Sequence, residues 1–412
     1  LLAAAALMWL GGPAWCPAQE GWHLDGFALE RGKDFRIGLA GYVQGDLRSR
    51  RDFGVDDEDA DNTPTLNETT ADVGRLRIGL QGEWKRFSFE AMVDPADEGS
   101  ELKDLYGELK VAKALRLRGG HFKVPVSGEF LTSAAKIDFI ERAMLATNIG
   151  PARDWGGMAY GEPAKWLLYQ VGVFKGDGRT VRTRSDTTVA GRLVVSAVKD
   201  LDLGVSFSVG DVEADPVGEG LRPRSKGFLG LSPSGFVFYD NHFVAGRRER
   251  LGFEVRFTPG PVGLRGEWMG GREARKGQGS VRDDLPAQVS TGWTAGATWL
   301  LTGEKKARTI KVRRPLSKGG LGAWELAARY ERLEFDDDGP DSGFAGAGDR
   351  ARNIRPAGDG AFTGGLSWWP EGWMRLMFNV VVERFDDPLL APEPGRKGNY
   401  VTLLGRLQFL IP

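Results

Sequence analysis

Few residues of this chain are equipped to make or break bonds. Its 412 residues include one cysteine, Cys16, and three histidines, His23, His121 and His242, far apart in sequence. A lone cysteine excludes a disulfide framework and a thiolate zinc cluster. No histidine has the local Ser or Asp signature of a nucleophile with its base, so a hydrolase is a remote reading. No catalytic residue, metal-ligand set or cofactor is assigned. The acidic run Asp52, Asp56, Asp57, Glu58, Asp59 and Asp61 follows Arg48-Ser49-Arg50-Arg51. It lacks the Gly and Glu spacing of a calcium loop and reads as a solvated loop with local charge balance. What remains is electrostatic chemistry, carried by charged residues that recur at every second position. Arg75 with Arg77 and Arg116 with Arg118 lead this set. Basic rings favour anions and acidic rings cations, while walls of mixed sign set up a transverse field. Lys plus Arg total 55 against 56 Asp plus Glu, a formal net charge of −1, which implies no nucleic-acid partner.

The elements that position these charges follow from periodicity. Leu76, Ile78 and Leu80 alternate with Arg75, Arg77 and Gln81; Phe35, Ile37, Leu39 and Val43 alternate with Arg36, Tyr42 and Gln44. The pattern recurs in Leu201 to Val209, Leu251 to Phe257, Trp324 to Tyr330, Met374 to Val382 and Val401 to Ile411. Two-residue alternation is the mark of half-buried strands. The segments reach about 10 residues, the length of a tilted strand crossing a bilayer. Their polar faces carry Arg, Lys and Glu in mid-strand, and Trp166, Trp293, Trp299, Trp368, Trp369 and Trp373 cluster near segment ends, as in an interfacial girdle. A soluble secreted β-protein also alternates, and it would need no detergent. In lipid an open sheet edge costs several kcal/mol per unpaired backbone group, so the sheet must close. Dividing residues 19–412 by about 22–25 per strand and loop gives roughly 16 to 18 strands. The expected fold is therefore an all-β, antiparallel transmembrane barrel in a single domain.

By the same alternation Arg36, Arg192, Arg256, Arg265, Arg329, Arg375 and Arg406 share the polar, lumen-facing side with Glu90, Asp94, Glu108, Glu254, Glu267, Glu325, Glu331 and Glu383. Wall-to-wall salt bridging is the plain alternative to ion selection. Short turns are expected at Lys85-Arg86, Lys113-Ala114, Lys199-Asp200 and Pro259-Gly260-Pro261, and long loops at residues 48–72, 212–227, 270–288 and 336–360. Leu1 to Leu10 is apolar, too short to span a bilayer, and followed by Gly11, Gly12, Pro13 and Ala14, with the small residue Ala18 at the expected cleavage position. This architecture predicts a cleaved signal peptide over residues 1–18. From His121 to Trp155 the alternation breaks, and the segment has its own apolar content. It is expected to fold into the barrel and narrow it, with Lys123, Glu129, Lys136, Arg142 and Arg153 at the constriction. An external loop packed by its own side chains is the alternative.

The motifs of this segment resemble those of the phosphate-selective porin O and P family: Phe122-Lys123-x-Pro125, Glu129-x-Leu131-Thr132-Ser133, Phe139-Ile140-Glu141-Arg142 and Pro151-x-Arg153-Asp154-x-Gly156. Arg75-x-Arg77-Ile78-Gly79, Trp324-Glu325-Leu326-Ala327-x-Arg329-Tyr330 and Trp368-x-x-x-Gly372-x-x-Arg375-Leu376-Met377 extend the likeness along nearly all of the chain. The resemblance implies a homotrimeric, 16-stranded channel in the outer membrane of a Gram-negative-type cell, with the third long loop folded inward as the constriction. It also implies a basic ladder leading to lysines near that constriction. Phe130 stands where the phosphate-specific members would carry a lysine, with Lys123 and Lys136 flanking it as substitutes. The C-terminal Phe409-Leu410-Ile411-Pro412 departs from the terminal Phe common in such strands. The expected function is a passive channel for small hydrophilic solutes, anion-preferring, with phosphate or polyphosphate as candidates. A general size-selective diffusion porin is the close alternative.

Overall fold

The computed structural model describes residues 22–25, 27–32, 34–51, 69–96, 101–176, 187–212, 225–279, 283–339 and 354–411. The segment read as a signal peptide and the acidic run lie outside them. A short hairpin, β1 (Trp22–Asp25) and β2 (Ala28–Arg31), precedes nine long strands. These are β3 (Phe35–Arg51), β4 (Thr69–Trp84), β5 (Phe87–Asp94), β6 (Glu101–Ala112), β7 (Leu115–Lys123), β8 (Arg153–Ala164), β9 (Leu167–Phe174), β10 (Thr188–Val198) and β11 (Leu201–Val212). Four short strands follow: β12 (Ser225–Lys226), β13 (Gly230–Leu231), β14 (Val237–Tyr239) and β15 (Phe243–Val244). The remaining long strands are β16 (Gly246–Phe257), β17 (Val262–Arg275), β18 (Leu285–Leu300), β19 (Ala323–Asp337), β20 (Ala357–Glu371), β21 (Met374–Phe385) and β22 (Tyr400–Ile411).

Each long strand pairs antiparallel with the next, and β22 returns to β3 in register from Val401↔Arg51 to Ile411↔Gly41. Sixteen strands thus close into a barrel without a free edge, as a lipid-immersed sheet requires. Among the described residues no helix is long and apolar enough to cross a membrane. The alternation read from the sequence is the alternation of the wall. Leu39, Ile78, Leu80, Leu251, Phe253, Leu326 and Phe378 are exposed on the outside, while Gln44, Arg77, Glu325, Arg375 and Arg406 are buried inside.

Aromatic positions follow the same parity. Trp324 and Trp368 stack on the outer surface with centroids 5.3 Å apart, and Trp84, Trp166, Trp299 and Trp373 are exposed near the same end. Trp369 is a correction to the girdle reading. One residue beyond Trp368, it points inward, where the Arg375 guanidinium lies 4.3 Å above its ring.

The turns at Lys85-Arg86, Lys113-Ala114, Lys199-Asp200 and residues 258–261 are as short as expected. Between β18 and β19, at the same end, the chain instead makes a long strap, residues 301–322. It carries Lys305, Lys306, Arg308, Lys311, Arg313, Arg314 and Lys318 against one carboxylate, Glu304. At the opposite end the expected loop boundaries shift. β17 runs to Arg275 and β18 starts at Leu285, so the loop placed at 270–288 is much shorter; backbone pairing continues where the side chains have already turned polar. The loop placed at 212–227 instead extends to residue 245 and contains β12 to β15.

Candidate functional site

The entry of the inward loop is set by backbone geometry. Gly120 in β7 has φ +135°, and a Cβ there would sit 2.2 Å from the Leu105 carbonyl oxygen, so only glycine allows the strand to bend at that point. Residues 124–152 then leave the wall and cross the lumen. They contain α1 (Gly128–Leu131), capped by the Ser127 hydroxyl accepting from Phe130 N at 3.0 Å, and α2 (Met144–Asn148). Val126, Ile137, Ile140, Met144, Leu145 and Ile149 are almost fully buried, which answers the question the sequence left open: the segment folds inward.

Apolar burial brings the loop inside, but polar wall residues fix its path. Arg375 donates to the carbonyls of Ile137 (2.7 Å) and Asp138 (3.3 Å), Arg406 to Ile140 (2.8 Å), Arg329 to Glu141 (3.1 Å) and Arg250 to Ile149 (2.6 Å). Gln44 and Gln408 donate to Ala134 and Ala135. In the other sense, the loop amides of Glu129, Ile140 and Met144 donate to Glu267, Asn379 and Glu331. A loop amide or carbonyl buried without a partner costs about 1–3 kcal/mol, so this irregular backbone needs such partners to stay inside.

A second loop, between β11 and β16, enters beside the first. Phe228, Phe238 and Tyr239 join the buried cluster around α2, Asn148 exchanges two hydrogen bonds with the Leu231 backbone, and Glu383 accepts from Ser234 N at 3.1 Å. The strap at the opposite end reaches in as well. Its Lys306 ammonium lies 2.7 Å from Asp138 of the inward loop and 2.5 Å from Glu325 of β19. Burial acts to raise the Asp138 pKa, but Lys306 and Arg265 outweigh it and hold the carboxyl well below its ordinary value. Ile310 of the strap packs with Leu300, Ala323 and Trp369 inside the barrel end.

The residues singled out from sequence fall into three groups. Arg75, Arg77, Arg116 and Arg118 all face the lumen but are paired: Arg77 with Asp94 (3.1 Å), Arg116 and Arg118 with Glu108 (3.2 and 2.7 Å), and Arg75 with Gln44 (3.1 Å) and Glu141 (3.9 Å). Lys123 and Arg153 are not on the loop; they end β7 and begin β8. Arg153 pairs with Asp104 at 2.9 Å, and the Lys123 ammonium is taken up by the carbonyls of Phe130, Leu131 and Thr132. Lys123 is thereby a cap on α1 rather than a substitute for a lysine at position 130. Arg142 does similar work on the carbonyls of Glu129 and Thr132. Burial, together with Arg75 and Arg77, lowers its pKa to about 10, which leaves it charged at neutral pH. Phe130 lies between these two cations, 5.2 Å from the Lys123 ammonium and 5.4 Å from the Arg142 guanidinium. Glu129 pairs with Arg265 at 2.5 Å. Only Lys136 is exposed and without an ion-pair partner among the described residues.

A cavity of about 200 Å³ opens beneath α1, between the inward loop and the strap. Its charged lining is mixed: Glu129, Glu162, Asp202, Glu254 and Glu267 face Lys165, Arg192, Arg256, Arg265 and, from the strap, Arg308. Arg192 pairs with Glu254 and Arg256 with Asp202, whereas Arg308 has no carboxylate partner among the described residues. Its pKa is lowered by burial and then by Arg256 and Arg192, with Asp202 acting in the opposite sense. A second cavity, about 480 Å³, lies along β3 to β8 and holds Arg36, Arg116, Arg118, Glu83, Glu90 and Glu108 in balance. Sequence reasoning missed Arg308. The signal available was the density of basic residues over 301–322, which no strand pattern accounts for.

Solved structures with the same fold include an anion-selective porin from Comamonas acidovorans, 12% identical (TM-score 0.56, covering 92% of this chain and 100% of that one). The outer membrane channel DcaP of Acinetobacter baumannii is 13% identical (TM-score 0.57, 94% and 100%). Salmonella typhi OmpF is 11% identical (TM-score 0.57, 91% and 98%). At these identities the likeness is one of fold. No curated protein matches the chain in sequence. The profile of one family matches residues 44–411, nearly the whole wall and both inward loops. With that match and a closed barrel, the chain is an outer-membrane channel of a Gram-negative bacterium and belongs to the phosphate-selective porin O and P family.

Proposed function

We propose that this channel is a passive, non-enzymatic pore for small hydrophilic solutes, and that it prefers anions through electrostatics rather than through a phosphate-binding lysine. The observation that carries the reading is the cavity beneath α1. There Arg308 lies beside Arg192 and Arg256 and, unlike them, has no ion-pair partner among the described residues, so it is the guanidinium of this mixed-charge cavity that a passing anion can engage at the loop's narrow side. Such a site attracts without enclosing, which allows release, and flux requires release. Against a dedicated phosphate site stand Phe130 at the expected lysine position and the Lys123 ammonium spent on three backbone carbonyls. The balanced charge of the second cavity favours the alternative of general diffusion by size. We assign a homotrimer to the assembly, as one trimeric neighbour, OmpT of Vibrio cholerae (10% identical, TM-score 0.58), is described.

Planar-bilayer recording tests the reading. In a KCl gradient the reversal potential should show anion preference, the preference should fall in Arg308→Ser, and phosphate should not block chloride current at low concentration. Cation preference, or a preference indifferent to Arg308, would leave a general porin. Block by dilute phosphate would restore a specific site.

A further inference from the structure

The strap turns back on itself, and its second half leaves the lumen. Whereas Ile310 is buried inside the barrel end, Leu316 and Leu321 are 53% and 76% exposed. Residues 313–322 lie against the outer surface of β19 and β20. The Trp324 and Trp368 indoles, stacked on the lipid-facing side, both donate to the Leu321 carbonyl (3.1 and 2.9 Å), and Ser317 N donates to Glu371 at 2.6 Å. Gly322 (φ +71°) makes the crossing over the rim possible, since a Cβ there would lie 2.3 Å from the Trp369 carbonyl oxygen.

We propose that this outer half of the strap is a binding site for anionic phospholipid of the inner leaflet, the leaflet facing the short-turn end. Three observations converge on that occupant. The two leucines continue the apolar, tryptophan-edged wall past its end, at the depth where acyl chains meet headgroups. Arg313, Arg314 and Lys318 are exposed around them and have no carboxylate partner among the described residues. The backbone is pinned to girdle indoles rather than to the lumen, so the basic groups stay at the lipid boundary. Apolar insertion beside a cluster of three cations fits a phosphodiester headgroup with its acyl chains; a soluble anion would leave the leucines in water.

The test uses the full folded chain, reconstituted in vesicles of equal phosphatidylglycerol and phosphatidylcholine, extracted gently and examined by native mass spectrometry for retained lipid. Phosphatidylglycerol should be retained over phosphatidylcholine. A basic residue near an anionic surface is worth about fivefold in affinity, so Arg313→Ser/Arg314→Ser/Lys318→Ser should lower retention by about tenfold or more. Leu316→Ser/Leu321→Ser should lower it too. Heat-modifiable gel mobility and single-channel conductance should be unchanged in both variants, which separates lipid loss from misfolding. Equal retention of the two lipids, or retention unaffected by both variants, would overturn the proposal. So would loss of binding to purified peptidoglycan sacculi in the basic variant without change in lipid retention, which would make the cell wall the partner.

Discussion

The two sides of the lumen use the same residue type for different ends. Along β4 to β8, arginines find carboxylates on a neighbouring strand or one strand further: Arg77 on Asp94, Arg116 and Arg118 on Glu108, and Arg153 across β7 on Asp104. That wall is neutralised within itself and faces open space. Along β16 to β22, Arg250, Arg329, Arg375 and Arg406 donate to backbone carbonyls of the loop that crosses toward them. A guanidinium offers five donors in a planar fork, so one side chain can hold a carboxylate and a carbonyl at once, as Arg406 does with Asp46 and Ile140. The difference teaches that a row of lumen arginines is not by itself an ion ladder; what lies opposite decides whether its charge is available to solute.

The largest effect is expected from breaking the holding wall. Arg375→Ala/Arg406→Ala removes charge-assisted bonds worth about 1.5–3 kcal/mol each. Conductance should rise with noisy steps as the loop leaves its seat, whereas the same double change at Arg116 and Arg118 should leave step size stable. Next comes Glu108→Gln, which frees Arg116 and Arg118 without touching the loop. Its reversal potential should move toward anions, and no movement would mean that solute does not pass along that wall.

A smaller effect is expected at the tether between loop and strap. Because Asp138 is depressed in the folded state, its contribution is full above about pH 3.9, the unfolded value, and is lost as pH falls toward its lower folded pKa. Asp138→Asn should lower the gel-shift melting midpoint at pH 7, and the gap to the parent should narrow below pH 4. A gap constant from pH 7 to pH 3 would remove the ionic tether. The smallest change is Lys136→Glu: exposed and unpaired, this residue should alter anion preference slightly and stability not at all.

Much of the wall was legible without coordinates. Leu76, Ile78 and Leu80 do face outward and Arg75 and Arg77 inward, because a strand alternates strictly and lipid admits no charged face. The inward loop was legible as a break in that period with apolar content. The second inward loop was not. Phe228, Phe238 and Tyr239 bury against α2, a contact whose partner is more than 80 residues away in sequence. The distinction between Trp368 and Trp369 was available from parity but was hidden by reading them together as a girdle.

The sequence alone therefore determined the strands, their two faces, the closure of the sheet and the family likeness, since each rests on local periodicity or on motifs. Only the tertiary structure decided which arginines are spent on carboxylates, which on loop carbonyls, and which, like Arg308, line the cavity without an ion-pair partner among the described residues. The reason is physical: alternation fixes the face a side chain points to, but its partner across the lumen is brought there by an irregular loop whose path no period encodes.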